Sequence, residues 1–501
     1  MSWIIGAEMI SPQNLVRLAC DPSARLELSS QARENMTASH KRFLSELNDG
    51  AKIYGTNTGF GRNVRSQTSS ENLQQDLARY LDCAQGDFLN YEMSRAALIA
   101  RIKVLSLGLS GVRPELAEYM ILLFNTGIAP VIPTLGALGA SGDLVTMAPL
   151  ARLIQGDEVE CWHLGKLKTS KEALSANGIK PFPLLHRDGL AIMNGLSATG
   201  AVMAFAVERF SAALSASLKS IAAAKLALGA DLRSESVTIC SGTTRLHSGQ
   251  AKTAESLTQL WQGAQSAQVS GLPLQDEYSL RCLSQILGPI SDTLDEAQKW
   301  VFEELNSVSD NPVVCPKAGI INGGNFFGGY LATSSDHLAL AVSRLGELLE
   351  RQTFHLIGGE RGLPANLIIQ KESRYFHGMK GLHQTASSLQ MEIVHAAHPT
   401  GILSRSSESH NQDIVSNAMN GANRLVRQLS VLETLVSIHS ILSAQALELS
   451  NAKAGSAIQD WQAQIRERSA LVNEDRSLRL DIQTVAHALM PLSLQGVRHV
   501  A

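Results

Sequence analysis

The run Gly136-Ala-Leu-Gly-Ala-Ser-Gly-Asp-Leu144 is built from unusually small residues. Small residues let a backbone amide approach a nearby carbonyl closely. Within the run, Ala140-Ser141-Gly142 can cyclise: the Gly142 nitrogen attacks the Ala140 carbonyl. Loss of one water from the ring and one from Ser141 then leaves an exocyclic methylidene, an electrophile. Taken alone, Ala-Ser-Gly-Asp arises readily by chance and reads as a turn.

Other segments place reactive side chains on punctuated loops. Tyr54-Gly-Thr-Asn-Thr-Gly-Phe-Gly61 presents a tyrosine among glycines, and Asp188-Gly-Leu-Ala-Ile-Met-Asn-Gly195 presents Asn194. Gln275-Asp-Glu-Tyr-Ser-Leu-Arg-Cys282 carries Gln275, Tyr278 and Arg281. Asp310-Asn-Pro312 is followed by Asn322-Gly-Gly-Asn-Phe-Phe-Gly328, which presents Phe326. His410-Asn-Gln-Asp413 brings Gln412. A guanidinium offers two parallel charge-assisted bonds to a carboxylate, so Arg281 is a candidate carboxylate anchor. A phenol with an ordinary pKa of about 10 is a poor base at neutral pH. Tyr54 can serve only where its site favours the phenolate or where the proton moves within the transition state.

These residues need a scaffold, and 501 residues allow a large core or two to three domains. Few aromatics (5%) and abundant Ala, Leu and Ser favour helices packed on helices. The chain reads as mainly α, with a loop-rich region over 1–193 and a long-helix bundle over 194–501. Ser197 to Leu228 is nearly all Ala, Leu, Ser, Val and Phe. Further segments recur at Asp336–Glu350, Met379–Ala396 and Ala418–Ser450. In the last, Leu425, Leu429, Leu432 and Val436 form one stripe; Val431, Leu435, Ile438 and Leu442 form a second. A helix apolar on two faces is buried between others, and leftover apolar surface asks for an oligomer.

A net charge of −3 without a basic stripe argues against a nucleic-acid partner. The apolar run Gly200 to Val207 is too short to span a bilayer. No secretory leader is read at Met1-Ser2-Trp3-Ile4-Ile5. Six cysteines without a C-x-x-C pair fit a reducing cytoplasm rather than disulfides or zinc. His395 and His398 lack a third ligand at a telling spacing and are expected to pack, with no metal. Glu347 and Glu350-Arg351 are expected on a solvated face.

Taken together, six separated motifs in one order resemble the aromatic amino acid lyase family: histidine, phenylalanine and tyrosine ammonia-lyases and their aminomutase relatives. The resemblance implies that Ala140, Ser141 and Gly142 form a 4-methylideneimidazol-5-one group, with no external cofactor. It implies that Tyr54 removes the β-proton and Arg281 grips the substrate carboxylate. Asn194 and Tyr278 then orient substrate and electrophile, and Phe326 packs beside the ring. It also implies a cytoplasmic homotetramer with shared active sites and a small aromatic amino acid as substrate.

Selectivity in the family rests partly on two adjacent residues after a Leu-Gln motif, which here are Tyr80-Leu81 in Leu73-Gln-Gln-Asp-Leu-Ala-Arg-Tyr-Leu-Asp82. Histidine lyases resemble Ser-His there, tyrosine lyases His-Leu and phenylalanine lyases Phe-Leu. Leu81 argues against histidine, because a buried imidazole needs a polar partner. Tyr80 departs from all three. Its ring can pack on a phenyl group, or its hydroxyl can meet a phenol. Gln412, Lys380 and Glu408 stand at positions that resemble the phenylalanine branch. Leu196 and Asp188 depart from the family's usual Thr and Glu. The expected reaction is loss of ammonia from phenylalanine or tyrosine. The rivals are a 2,3-aminomutase, a histidine lyase, a betaine-eliminating relative and a catalytically silent helical scaffold.

Overall fold

A computed structural model describes residues 2–66, 72–315, 317–369, 376–492 and 497–498. Among these residues helices dominate, and the strands are short, the longest having five residues. The expectation of a mainly α protein holds.

The site is positioned by eight helices: α1 (Leu73–Leu81), α2 (Tyr91–Ser106), α3 (Asp188–Met193), α4 (Ser197–Ala227), α5 (Leu283–Leu305), α6 (Gly329–Ile357), α7 (Lys380–His395) and α8 (Ala418–Leu449). The long ones extend close to the expected segments. α4 packs along α8, α8 along α6, and α4 also meets α2 and α5. Both stripes of α8 face inward: Leu425, Leu429, Leu432, Val436, Leu435, Ile438 and Leu442 are buried, and Val431 is partly so. One continuous core runs from Ile5 to Met490.

Gly200 to Val207 proves to be part of a much longer apolar helix. By length and composition α4 and α8 are both apolar enough to cross a membrane. Yet 72% and 78% of their most apolar windows are buried inside the protein, so they are core helices here. Several of their buried polar groups pair across the bundle. Arg209 on α4 meets Glu433 on α8 through two bonds of 2.8 Å. His439 on α8 lies between Ser220 (2.9 Å) and Gln352 (3.1 Å). Burial brings its pKa down to about 3, so it is neutral.

Two surface expectations are corrected. Glu350 is buried rather than solvated: it accepts from Arg351 (2.6 Å) and Ser387 (2.8 Å), so α7 covers this part of α6. Glu347 is exposed, as expected. His395 and His398 do not pack. α7 ends at His395, and both side chains are exposed.

Candidate active site

The small-residue run folds back on the start of α4. Gly142 has φ +66° and forms a parallel bridge with Gly195. A Cβ at Gly142 would overlap the Gly195 carbonyl and reach 2.9 Å from its Cα, so only glycine fits. Asp143 N donates to Gly195 O at 2.6 Å. The Asp143 carboxylate accepts from Ala198 N (2.7 Å), Thr199 N (3.0 Å) and the Thr199 hydroxyl. A carboxylate at a helix N-terminus satisfies orphan N–H groups and matches the helix dipole. Burial nevertheless pushes the Asp143 pKa up to about 6, with these bonds opposing.

From the other side, Ser416 Oγ (2.9 Å) and Gly328 N (3.1 Å) donate to Gly139 O. Gln412 Nε2 donates to Ser141 Oγ at 2.9 Å. The reactive tripeptide is thus held between the start of α4, the segment before α6 and the segment before α8.

A cavity of about 470 Å³ opens over Ala140 and Ser141. Tyr54, Tyr80, Asn194, Phe326, Glu408 and Gln412 all line it. Gly61 N donates to Tyr54 Oη at 2.9 Å, and Phe60 meets the Tyr54 ring edge-on at 6.1 Å. Burial raises the Tyr54 pKa; the Gly61 N–H opposes, and the Glu408 carboxylate adds to the rise. Tyr80 is raised as well, first by burial and then by Glu408 and Tyr54. Leu81 lines an adjoining cavity of about 280 Å³ that shares Tyr80, Ser141, Glu408 and Gln412 with the first.

Four expected site residues lie elsewhere on this chain. Gln275, Tyr278 and Lys380 are exposed, and the Arg281 guanidinium stacks over the Tyr278 ring, 4.8 Å from its centroid. None lines the cavity at Ser141. Leu196 and Asp188, the two departures from the family pattern, are buried away from it. Asp188 accepts from Leu185 N (3.0 Å) and Arg113 (3.2 Å).

The sequence alone assigns no role to Asp310-Asn-Pro312 or Asn322. Asn311, Asn322 and the neighbouring Phe327 do line the cavity. Their signal was loop composition beside Phe326. A larger groove of about 650 Å³ lies between α5 and α6, walled by Ile286, Ile290, Leu340 and Leu348. It includes no part of the tripeptide, so the chemistry belongs to the smaller cavity. Among the described residues no group of three or more His, Cys, Asp or Glu is placed to hold a metal ion.

Comparison with known proteins identifies the family. The sequence profile described as aromatic amino acid lyase matches residues 10–467. A histidine ammonia-lyase of Symbiobacterium thermophilum is 31% identical over 494 residues, covering 96% of this chain and 95% of that one. The crystal structure of histidine ammonia-lyase from Trypanosoma cruzi superposes with TM-score 0.88 at 29% identity, over 98% of this chain and 94% of that one. The phenylalanine aminomutase of Pantoea agglomerans superposes with TM-score 0.92 at 25% identity, over 98% and 99%. The chain belongs to the aromatic amino acid lyase family and is a carbon–nitrogen lyase.

Proposed function

We propose that this protein eliminates ammonia from phenylalanine or tyrosine, giving cinnamate or p-coumarate. The observation that carries the reading is the cavity in which Tyr54, Asn194, Phe326, Glu408 and Gln412 converge on Ser141. The site fits a prosthetic group made from Ala140, Ser141 and Gly142: position 142 excludes a side chain, and Gln412 already grips the Ser141 oxygen. Once formed, the 4-methylideneimidazol-5-one ring would supply an electrophile that turns the substrate amine into a leaving group.

The chain's own residues do the rest. Tyr54 Oη takes the β-proton, which with loss of the amine leaves the arylacrylate double bond. Raised by burial and by Glu408, the phenol is mostly protonated in the single chain. Bringing cationic side chains to the cavity favours its ionisation. Glu408 meets the substrate ammonium, Phe326 excludes water, and Asn194 and Gln412 hold the reacting groups. Tyr80 and Leu81 receive the aromatic ring.

Gln275, Tyr278, Arg281 and Lys380 act in this reading from other subunits of a homotetramer. Exposed Leu340, Phe354, Met391 and Val394 support such assembly. A cytoplasmic location accords with the absence of disulfides among the described residues.

The test is incubation with phenylalanine, tyrosine and histidine separately, with ultraviolet spectra and product chromatography. Cinnamate or p-coumarate is expected. The histidine-lyase relatives at 31% identity favour a second reading, and urocanate as the sole product would establish it against the Leu81 argument. A dominant β-amino acid would make the protein an aminomutase. Intact mass lacking two waters is expected for the mature chain; an unmodified tripeptide would sink the lyase reading.

A further inference from the structure

Behind Asn194 lies a buried charge cluster with no place in the reaction as described so far. Asn194 Nδ2 donates to the Asn311 carbonyl at 3.0 Å and to Asp310 Oδ1 at 3.4 Å. The same two acceptors take Arg187, whose Nη2 lies 3.0 Å from Asp310 Oδ1 and 3.1 Å from Asn311 O. Arg187 Nη1 donates to Ser110 O. Asp310 Oδ1 also accepts from Asn311 N at 2.7 Å, while Oδ2 faces Arg101 at 3.7 Å. Arg101, Arg187 and Asp310 are all at most 1% exposed.

The clamp constrains a dipole. A carboxylate and a backbone carbonyl are acceptors only, so they take the NH₂ end of the Asn194 amide and turn its oxygen away. The clamp reaches further, because Asn311 Oδ1 accepts from Gly323 N (2.8 Å), at the loop that carries Phe326. Asp310 Oδ1 is therefore an acceptor shared by Asn194, Arg187 and Asn311 N, and the Asn311 side chain ties this cluster to the Phe326 loop.

We propose that Asp310, braced by Arg187, is a positioning residue for elimination: it fixes the carboxamide orientation of Asn194 by hydrogen bonding. This rests on the lyase reading above for its kinetic consequence, though not for the orientation itself. Misplacement of a reacting group by about 1 Å costs on the order of 100-fold in rate.

The experiment compares Asp310→Ala, Asp310→Asn, Asn194→Ala and the double variant Asn194→Ala/Asp310→Ala in the full-length protein. Asp310→Ala is expected to lower kcat on the order of 100-fold with KM little changed. Asp310→Asn, which keeps an oxygen for Asn311 N and Asn194 Nδ2, is expected to recover most of that loss. In the Asn194→Ala background Asp310→Ala is expected to add little, because both changes act through one group. Additive losses, or no recovery with Asn, would make Asp310 a counter-ion for two buried arginines and overturn the proposal.

Should Asp310→Ala fail to fold, Arg187→Lys serves instead. One ammonium cannot span Ser110 O and the two acceptors, so a similar fall in kcat is expected, and unchanged kcat overturns the proposal. A crystal structure of either variant gives a readout independent of turnover: an Asn194 amide still donating to Asn311 O in its present pose overturns the idea whatever the substrate proves to be. Failure of the unaltered protein to process any amino acid would instead strike the proposed function and leave that structural readout decisive.

Discussion

Replacing Gly142 with alanine tests the close approach of the tripeptide to α4. The residue sits at φ +66°, and an added Cβ would overlap the Gly195 carbonyl. A left-handed backbone costs an L-residue about 1–2 kcal/mol, and overpacking adds about 1–3 kcal/mol. Loss of the 2.6 Å bond from Asp143 N to Gly195 O would remove roughly 1 kcal/mol more. The sum, on the order of 3–6 kcal/mol, is comparable with a typical folding stability of about 5–15 kcal/mol, so the loop is expected to move rather than accept the overlap. Gly178 is the control, since it has φ +64° but nothing within 4 Å of its added Cβ. Gly178→Ala is expected to lose only the backbone term of about 1–2 kcal/mol. Urea denaturation reads the stabilities, and intact mass reads cyclisation. Gly142→Ala is expected to retain both waters and show almost no turnover. Normal dehydration and turnover, with stability matching Gly178→Ala, would refute the packing argument.

Ser141→Ala is expected to abolish nearly all turnover while circular dichroism keeps the helical signal; full activity would refute the proposed electrophile. Glu408→Gln removes a charge that raises the Tyr54 pKa, so the rising acid limb of the kcat/KM profile is expected to move to lower pH. An unmoved limb, in an enzyme that still turns over, would detach Tyr54 from that limb. Glu304 has its pKa raised from 4.5 to about 7, first by burial and then by Asp143. A raised carboxyl contributes stability below its unfolded pKa that is lost as pH climbs through the folded value. Glu304→Gln is therefore expected to gain stability on the parent between pH 4.5 and about 7, by at most about 3 kcal/mol; urea curves at pH 5 and 8 check it, and a constant difference refutes it.

The bundle was legible because its signal is local. Leu425, Leu429, Leu432 and Val436 recur at helical spacing, and burial of such a stripe follows directly. The burial of Glu350 is not legible in the sequence, because its charged neighbours on α6 are solvated and only the docking of α7 brings Ser387 to it. His395 and His398 failed for the opposite reason: a helix end leaves them without a covering layer. In the site, motif residues such as Tyr54 and Asn194 were legible through their loops. Asp310 carries no such signal, because its proposed role depends on Arg187 and Arg101, which are distant in sequence and form no local pattern with it.

The proposed sharing of the site between chains bears on the charge balance of the cavity. Its lining includes Glu408 and Asp413 and, among the described residues, no lysine or arginine. An amino acid brings a carboxylate as well as an ammonium, and burying a carboxylate without a cation is costly. The best donor for it, Arg281, instead lies beside exposed Tyr278 outside this cavity. If Arg281 serves the Ser141 of another subunit, two inactive variants can restore each other. Chains carrying Ser141→Ala and chains carrying Arg281→Met, co-expressed in equal amounts, would then form hybrid sites. Random mixing leaves about one quarter of sites with an intact Ser141 from one chain and an intact Arg281 from another. Activity near that fraction of the unaltered protein is expected, against almost none for either variant alone. Should both residues belong to one chain's site, no mixture would hold an intact pair, and activity at the level of the separate variants would refute the shared site.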